Sequence, residues 1–240
     1  MNDHRWETRL LAVIAAVLVV LGLAEVYGAS SLVTTAGGTV GARLAVRQAV
    51  AALVAAILAT VVARLDYHVW QRWAWRLLAA IAGLLLIPLL PFTHPIAPTL
   101  NGARRWVTFG VVALQPSELA KFALVVWAAT LAAKKGEQIR AFKLGILPFL
   151  VIVVPVAGLI FLEPNLSMAV LVAMLVGIVM FAAGARIGHF LLLGIAALPL
   201  LFGAVAAAQY RVARVLTFLN PGAAPEEASW QVTQSLVGLG

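Results

Sequence analysis

Long apolar stretches alternate with short polar ones along most of the 240 residues. Seven of them, near 10–28, 45–63, 74–91, 116–133, 144–162, 166–183 and 187–208, approach the roughly 20 residues a helix needs to cross about 30 Å of hydrocarbon. Lipid offers no partner for backbone N–H and C=O groups, so each such stretch is expected to be a helix that satisfies its own. The expected fold is therefore all-α, a polytopic membrane helix bundle. The first stretch is too long for a cleaved signal peptide, lacks a small-residue cleavage site, and has further spans after it. Pro155 and Pro199 fall inside the fifth and seventh stretches and are expected to kink them. Pro91–Pro98 and Asn220–Trp230 read as connections on the outer side. No tandem or inverted repeat is visible, which weighs against a secondary transporter.

Composition sharpens this picture. Hydrophobic residues make up 63% of the chain and charged ones 11%, against about 25% charged in soluble domains. Cysteine is absent, which removes disulfides, iron–sulfur clusters and thiolate nucleophiles. His4, His68, His94 and His189 are scattered, so no histidine-built metal site is expected. The net charge of +8 belongs first to orientation and to anionic lipid headgroups, with membrane lipids as partners. No basic stripe with interleaved aromatics is present, and no nucleic-acid partner is expected.

A cytoplasmic N-terminus puts ten of the 17 Lys and Arg inside, four of them in the dense KKGEQIRAFK loop at 134–143. Arg43, Arg47, Arg104, Arg105, Lys121, Arg211 and Arg214 are then outside. Topology does not ask for cations there, whereas an anionic ligand at the outer face would. Trp70, Trp73 and Trp75, mixed with Arg72 and Arg76, read as an interfacial aromatic belt at the start of the third span.

One polar island stands out, NGARRWVTFGVVALQPSELAK at 101–121. Ionisable groups beside hydrocarbon are costly, so a cluster of them marks a functional site. Gln115-Pro116-Ser117-Glu118 reads as a helix start, with proline at the first position and an acid facing the positive end of the helix dipole. Lys121 lies three residues beyond Glu118 on the same face, roughly 7 Å below the helix start. The two either neutralise each other and cap the helix or form part of a site. Arg104 and Arg105 follow the turn dipeptide Asn101-Gly102, and either could touch headgroups or grip phosphate oxygens in a bidentate fork. With Lys121 on the same side, a phosphate or pyrophosphate site is the better reading. Glu163-Pro164-Asn165 reads as a tight outer turn with a helix cap. Arg211 and Arg214, at i and i+3, line one face of a short amphipathic helix, as plain interfacial anchors or as part of the outer cationic surface.

These strings resemble the SEDS family (shape, elongation, division and sporulation), the FtsW/RodA/SpoVE group of bacterial peptidoglycan glycosyltransferases. The matching segments, in order, are VYGASS (26–31), Arg47-Gln48, Leu65-Asp66-Tyr67, NGARRW (101–106), QPSELAK (115–121), EPNLS (163–167), RVLTFLNP (214–221) and WQVTQSLVGLG (230–240). The last resembles the FtsW-like division branch slightly more than the elongation branch.

The resemblance implies a ten-span protein of the bacterial cytoplasmic (inner) membrane, with residues 1–240 forming one SEDS-type transmembrane domain that holds about seven of the ten helices. It implies polymerisation of lipid II, an undecaprenyl-pyrophosphate-linked disaccharide peptide, at the outer face, in cell division or elongation. A class B penicillin-binding protein transpeptidase is the implied protein partner. By this resemblance Arg105 and Lys121 contact the substrate pyrophosphate, Arg104 is a weaker contact, and Glu118, Gln115 and Asn101 support them. The implied catalytic aspartate lies beyond Gly240, so no catalytic residue is assigned and these 240 residues alone are expected to be inactive. No cofactor is fixed by the sequence. A divalent cation, Mg or Mn, could accompany the pyrophosphate, but no ligand set is visible. Where the family has Pro-Asp-x-Gly-Thr, this chain has Pro164-Asn165-Leu166-Ser167-Met168, so no carboxylate role is carried over at 165. Two other functions use the same outward cations: a lipid II flippase, which needs a polar path through the spans, and a non-catalytic membrane scaffold for the transpeptidase.

Overall fold

The structure, a computed structural model, describes residues 5–31, 34–35, 38–99, 102–109 and 112–219. It falls into two compact units, residues 1–69 and 70–240. In the first, α1 (Arg5–Ser31) and α2 (Val40–Arg64) pack on each other, joined by a two-residue ladder, β1 (Thr34–Thr35) with β2 (Gly38–Thr39). Their spanning segments bury nothing inside the protein. Apolar side chains exposed all round suit helices whose solvent is lipid. The Leu65-Asp66-Tyr67 motif starts α3 (Tyr67–Leu86). Asp66 Oδ1 accepts the His68 backbone N–H at 2.8 Å, an N-cap bond, and the His68 ring stacks on Tyr67.

The second unit carries the rest: most of α3, β3 (Val107–Phe109), β4 (Val112–Leu114), α4 (Pro116–Lys135), α5 (Leu147–Leu162), α6 (Leu166–Ala182), α7 (Ile187–Ala206) and α8 (Gln209–Leu219). Its core is built on α4 and α6, with α5 closing against α6. Ala120, Ala123, Ala128 and Ala132 are all buried on α4, and such small residues let helices approach closely where lipid gives no hydrophobic drive to associate. Trp127 fills the centre, 1% exposed, its ring set edgewise against Trp75 of α3 at 5.6 Å and Phe149 of α5 at 5.7 Å. α7 has no buried residue and touches the bundle at one edge, with Phe181 and Phe190 in edge contact.

Among the described residues, six helices are long and apolar enough to cross a membrane. The sixth expected stretch forms α6, only 17 residues long, at the lower limit for a span. Expectation and structure agree on a multi-pass membrane bundle, and the count of seven is approximate.

The third segment needed correction. Its helix starts at Tyr67, not near 74, and ends at Leu86, where Pro88 and Pro91 turn the chain into two short 3-10 turns, Ile87–Leu89 and Pro91–Thr93. Arginine, glutamine and tryptophan lower the hydropathy of its first turns without disfavouring helix. The aromatic belt consequently splits around the helix. Trp73 lies under the Arg76 guanidinium at 4.9 Å, while Trp70 meets Phe122 and Trp75 meets Trp127. α5 and α7 each run through their internal proline as a single helix.

At the far end of α4, Lys134 and Lys135 complete the last turn, and the chain tightens into a 3-10 segment, Gly136–Arg140, then a π-helical turn, Phe142–Ile146. Gly145 is required there, because a Cβ would stand 2.5 Å from the Gln138 carbonyl oxygen. The Phe142 ring contacts His189 at the start of α7, so this turn and the α6–α7 connection share one end of the bundle.

Candidate functional site

The polar island occupies the opposite end. Gly102 has φ of +75°, the left-handed geometry that a turn dipeptide asks of its glycine; Asn101 lies outside the described residues. The chain then forms an antiparallel hairpin, Val107 opposite Leu114, Thr108 opposite Ala113 and Phe109 opposite Val112. Val107 is buried, and Thr108 ties the hairpin to the preceding loop, its N–H donating to the Ile96 carbonyl at 2.7 Å. No strand was expected here. The β-branched and aromatic run on either side of Gly110 was the available signal.

Arg104 and Arg105 are neighbours with different tasks. Arg104 turns back into its own loop. Its Nε donates to the Ala97 carbonyl at 3.0 Å, Nη1 to the Leu90 carbonyl at 3.0 Å and Nη2 to Thr93 Oγ1 at 2.9 Å. Thr93, buried, donates in turn to the Leu90 carbonyl at 2.8 Å. One guanidinium thus gathers three acceptors of the 90–97 segment, a geometry an ammonium cannot copy. Arg104→Lys, which keeps the charge, is expected to lower stability by about 2 kcal/mol, as charged hydrogen bonds to part-buried acceptors are lost. Thermal unfolding in detergent measures this, and an unchanged midpoint would show that the clamp is idle.

Arg105 reaches across the bundle. Its Nε donates to the Glu163 carbonyl at 3.1 Å and Nη2 to the Pro164 carbonyl at 2.6 Å, which fixes the loop before β3 to the α5–α6 turn. Lys121, half-buried on the first turns of α4, pairs with Glu118 at 2.7 Å, as the spacing predicts. Gln115 takes the N-cap position in extended backbone with Pro116 first in the helix, but its side chain makes no cap bond. Ser117 is buried, with no partner for its hydroxyl.

The Glu163 turn departs from its expected role. The tight turn is present, but neither Glu163 nor Asn165 caps α6. Asn165 makes no side-chain cap bond. The Glu163 side chain is 1% exposed, and neither carboxyl oxygen has a hydrogen-bond partner. Burial pushes this carboxyl up to about 8, against the smaller downward pull of the Arg105 charge. α8 also comes to this turn. Arg211 lies 5.1 Å over the Phe161 ring, bonds Tyr210 Oη through Nε at 2.9 Å, and donates through Nη1 to the Ala204 carbonyl at 2.6 Å. Arg214 is exposed. Sequence spacing could place Arg211 on a helix face but not over Phe161, 50 positions back in the chain.

The site therefore gathers Arg105 and Arg211 at the α5–α6 turn, with the Glu118–Lys121 pair at the start of α4. Backbone carbonyls aim Arg105, and a ring face holds Arg211. Fixed cations at a bundle end can bind a multiply charged oxyanion. Among the described residues, no three acidic or histidine side chains gather as a metal ligand set.

Comparison with known proteins places the chain among similar sequences and structures. A probable peptidoglycan glycosyltransferase FtsW of Trichlorobacter lovleyi is 36% identical over 74% of this chain and 46% of its own length. The stage V sporulation protein E of Bacillus subtilis is 32% identical over 96% of this chain and 62% of its own length. A solved structure described as the structural coordination of polymerization and crosslinking by a peptidoglycan synthase complex superposes with a TM-score of 0.73 and 28% identity, covering 100% of this chain and 66% of that one. The chain thus spans about half to two-thirds of the length of these relatives. With residues 8–240 matching throughout, the chain belongs to the FtsW/RodA/SpoVE family of cell cycle proteins.

Proposed function

We propose that this chain is the diphosphate-binding part of a lipid II-polymerising peptidoglycan glycosyltransferase. The observation that carries the reading is Arg105, a guanidinium held by two carbonyls of the α5–α6 turn at the end of the bundle where α4 begins. Such an end is where a lipid-linked diphosphate would present its head, its polyprenyl tail remaining in hydrocarbon.

In this reading the 4-hydroxyl of one lipid II attacks the anomeric carbon of a lipid-linked glycan, and undecaprenyl diphosphate departs. A carboxylate base takes the hydroxyl proton; neither Glu118, already paired, nor Glu163, buried, is assigned that task. Arg105 and Lys121 bind the diphosphate and offset the negative charge that grows on it as the bond breaks. Glu118 holds Lys121 in place, and Arg104 shapes the loop that carries Arg105. A divalent ion, were one to accompany the substrate, would help neutralise the diphosphate charge; the described residues gather no carboxylate or histidine set to hold it. The N-terminus is cytoplasmic in this reading, the membrane is the bacterial inner membrane, and the site faces outward. A class B penicillin-binding protein is the proposed partner, supported by the likeness to a peptidoglycan synthase complex.

Burial weighs against the flippase. The charged side chain in the buried class among the described residues is Glu163, at a helix end and not midway through a span. A path for a charged headgroup needs polar groups along the bundle interior. The test uses full-length protein, these residues followed by the remaining spans of the family, purified in detergent with lipid II. Glycan polymer is the expected product. Transport of lipid II across proteoliposomes without polymer would overturn the reading in favour of the flippase.

A further inference from the structure

Glu163 is a buried carboxyl without a hydrogen bond, and such a group carries a desolvation cost that native structures rarely leave unexplained. Its surroundings are specific. Arg105 bonds the main-chain carbonyl of this same residue, yet the guanidinium gives no hydrogen bond to the carboxyl. Among the described residues, no other element around the turn brings a charge to bear on the carboxyl. α5 carries no other ionisable residue, and neither does α6. On α4, Glu118 and Lys121 are joined to each other. Arg211 of α8 lies over Phe161, and Arg104 is turned to the 90–97 loop. Arg105 is thus the cation set directly against Glu163, and its charge, unlike that of Lys121, has no bonded acid.

We propose that Glu163 is a positioning residue that acts through Arg105: with its proton in place the carboxyl leaves the guanidinium charge free for a diphosphate, and losing the proton neutralises that charge. This rests on the diphosphate reading above and deepens it. The backbone of the turn aims Arg105, while the side chain of the same residue sets how much charge Arg105 offers. Burial favours the protonated form at neutral pH, so the site is fully cationic there and weakens as pH rises through the range in which Glu163 ionises. Because the ligand adds negative charge beside Glu163, binding in turn favours the protonated acid.

The experiment measures binding of radiolabelled undecaprenyl diphosphate to the 240-residue chain in nanodiscs between pH 7 and 9.5. Wild type is expected to weaken about fivefold or more across this interval, as one opposing charge appears beside Arg105. Glu163→Gln, neutral and close in shape, is expected to hold its affinity within about twofold over the same range, any change in the ligand's own ionisation being common to both. Glu163→Met serves as a second non-ionising variant should glutamine impair folding. A purely structural role would shift the thermal midpoint of either variant while leaving a wild-type pH profile. A pH profile in both variants that follows wild type, or a flat profile in wild type, overturns the assignment of Glu163 alone. Absence of diphosphate binding by wild type at every pH overturns the diphosphate reading itself, and this inference with it.

Discussion

Arg105→Ala should reduce glycan polymerisation by the full-length protein at least about 100-fold, with membrane insertion and expression unchanged. A loss of that size corresponds to about 2.7 kcal/mol of transition-state stabilisation, typical for removing one preorganised donor aimed at developing charge. Arg105→Lys should recover little of it. The guanidinium uses Nε and Nη2 on two successive carbonyls and keeps further N–H groups in the same rigid plane for the ligand. A lysine ammonium can reach one carbonyl or one phosphate oxygen, but it has no plane to hold several at once. Lipid II polymer resolved on gels, alongside the thermal midpoint of each variant, separates catalysis from folding. Wild-type polymer from Arg105→Ala would remove the site assignment. A loss of activity matched by a loss of folding would show that Arg105 acts only as the tie between the hairpin loop and the α5–α6 turn.

Trp127→Ala should be the most damaging substitution for the fold, costing about 3–5 kcal/mol. Trp127 is 1% exposed and joins three helices through its contacts with Trp75 and Phe149. In lipid the unfolded reference does not expose the ring to water, so lost packing and the cavity left behind dominate the cost. Each aromatic pair adds about 0.5–1.5 kcal/mol beyond its area. Trp127→Phe should cost far less, since it keeps a ring in the stack and removes an indole N–H that has no hydrogen-bond partner. Detergent denaturation curves for the two variants decide it, and near-equal stability of wild type and Trp127→Ala would refute the three-helix keystone. The link to function runs along α4. Lys121 lies six residues before Trp127 on the same helix, so loosening the core at Trp127 frees the element that positions Lys121.

The membrane class and helical architecture could be read from apolar length alone, because lipid leaves the backbone no alternative to helix over such stretches. The start of α4 and the Glu118–Lys121 pair were equally legible, since proline chemistry and i, i+3 spacing are local facts of a helix. The start of α3 was not. Tyr67–Arg76 is helical although its tryptophan and basic residues lower its hydropathy. Nor was the hairpin at 107–114, whose strands are three residues each and depend on Thr108 meeting Ile96.

Arg104, Arg105 and Glu163 show most clearly what chain order leaves open. Two adjacent arginines are chemically identical in the sequence, and both could serve a phosphate. Their division of labour appears only when the 90–97 loop folds back on one of them while the α5–α6 turn, 58 positions away, meets the other. Glu163 in the string EPNLS reads as an ordinary turn acid, because burial is a property of its neighbours and not of its own type. The sequence by itself determined that this is a multi-pass membrane bundle with a cationic motif between two of its spans, since hydropathy, helix periodicity and turn chemistry act over a few residues. Tertiary packing decided which segment each arginine is tied to and which acid lies out of water, because desolvation and long-range hydrogen bonds arise only when distant segments meet.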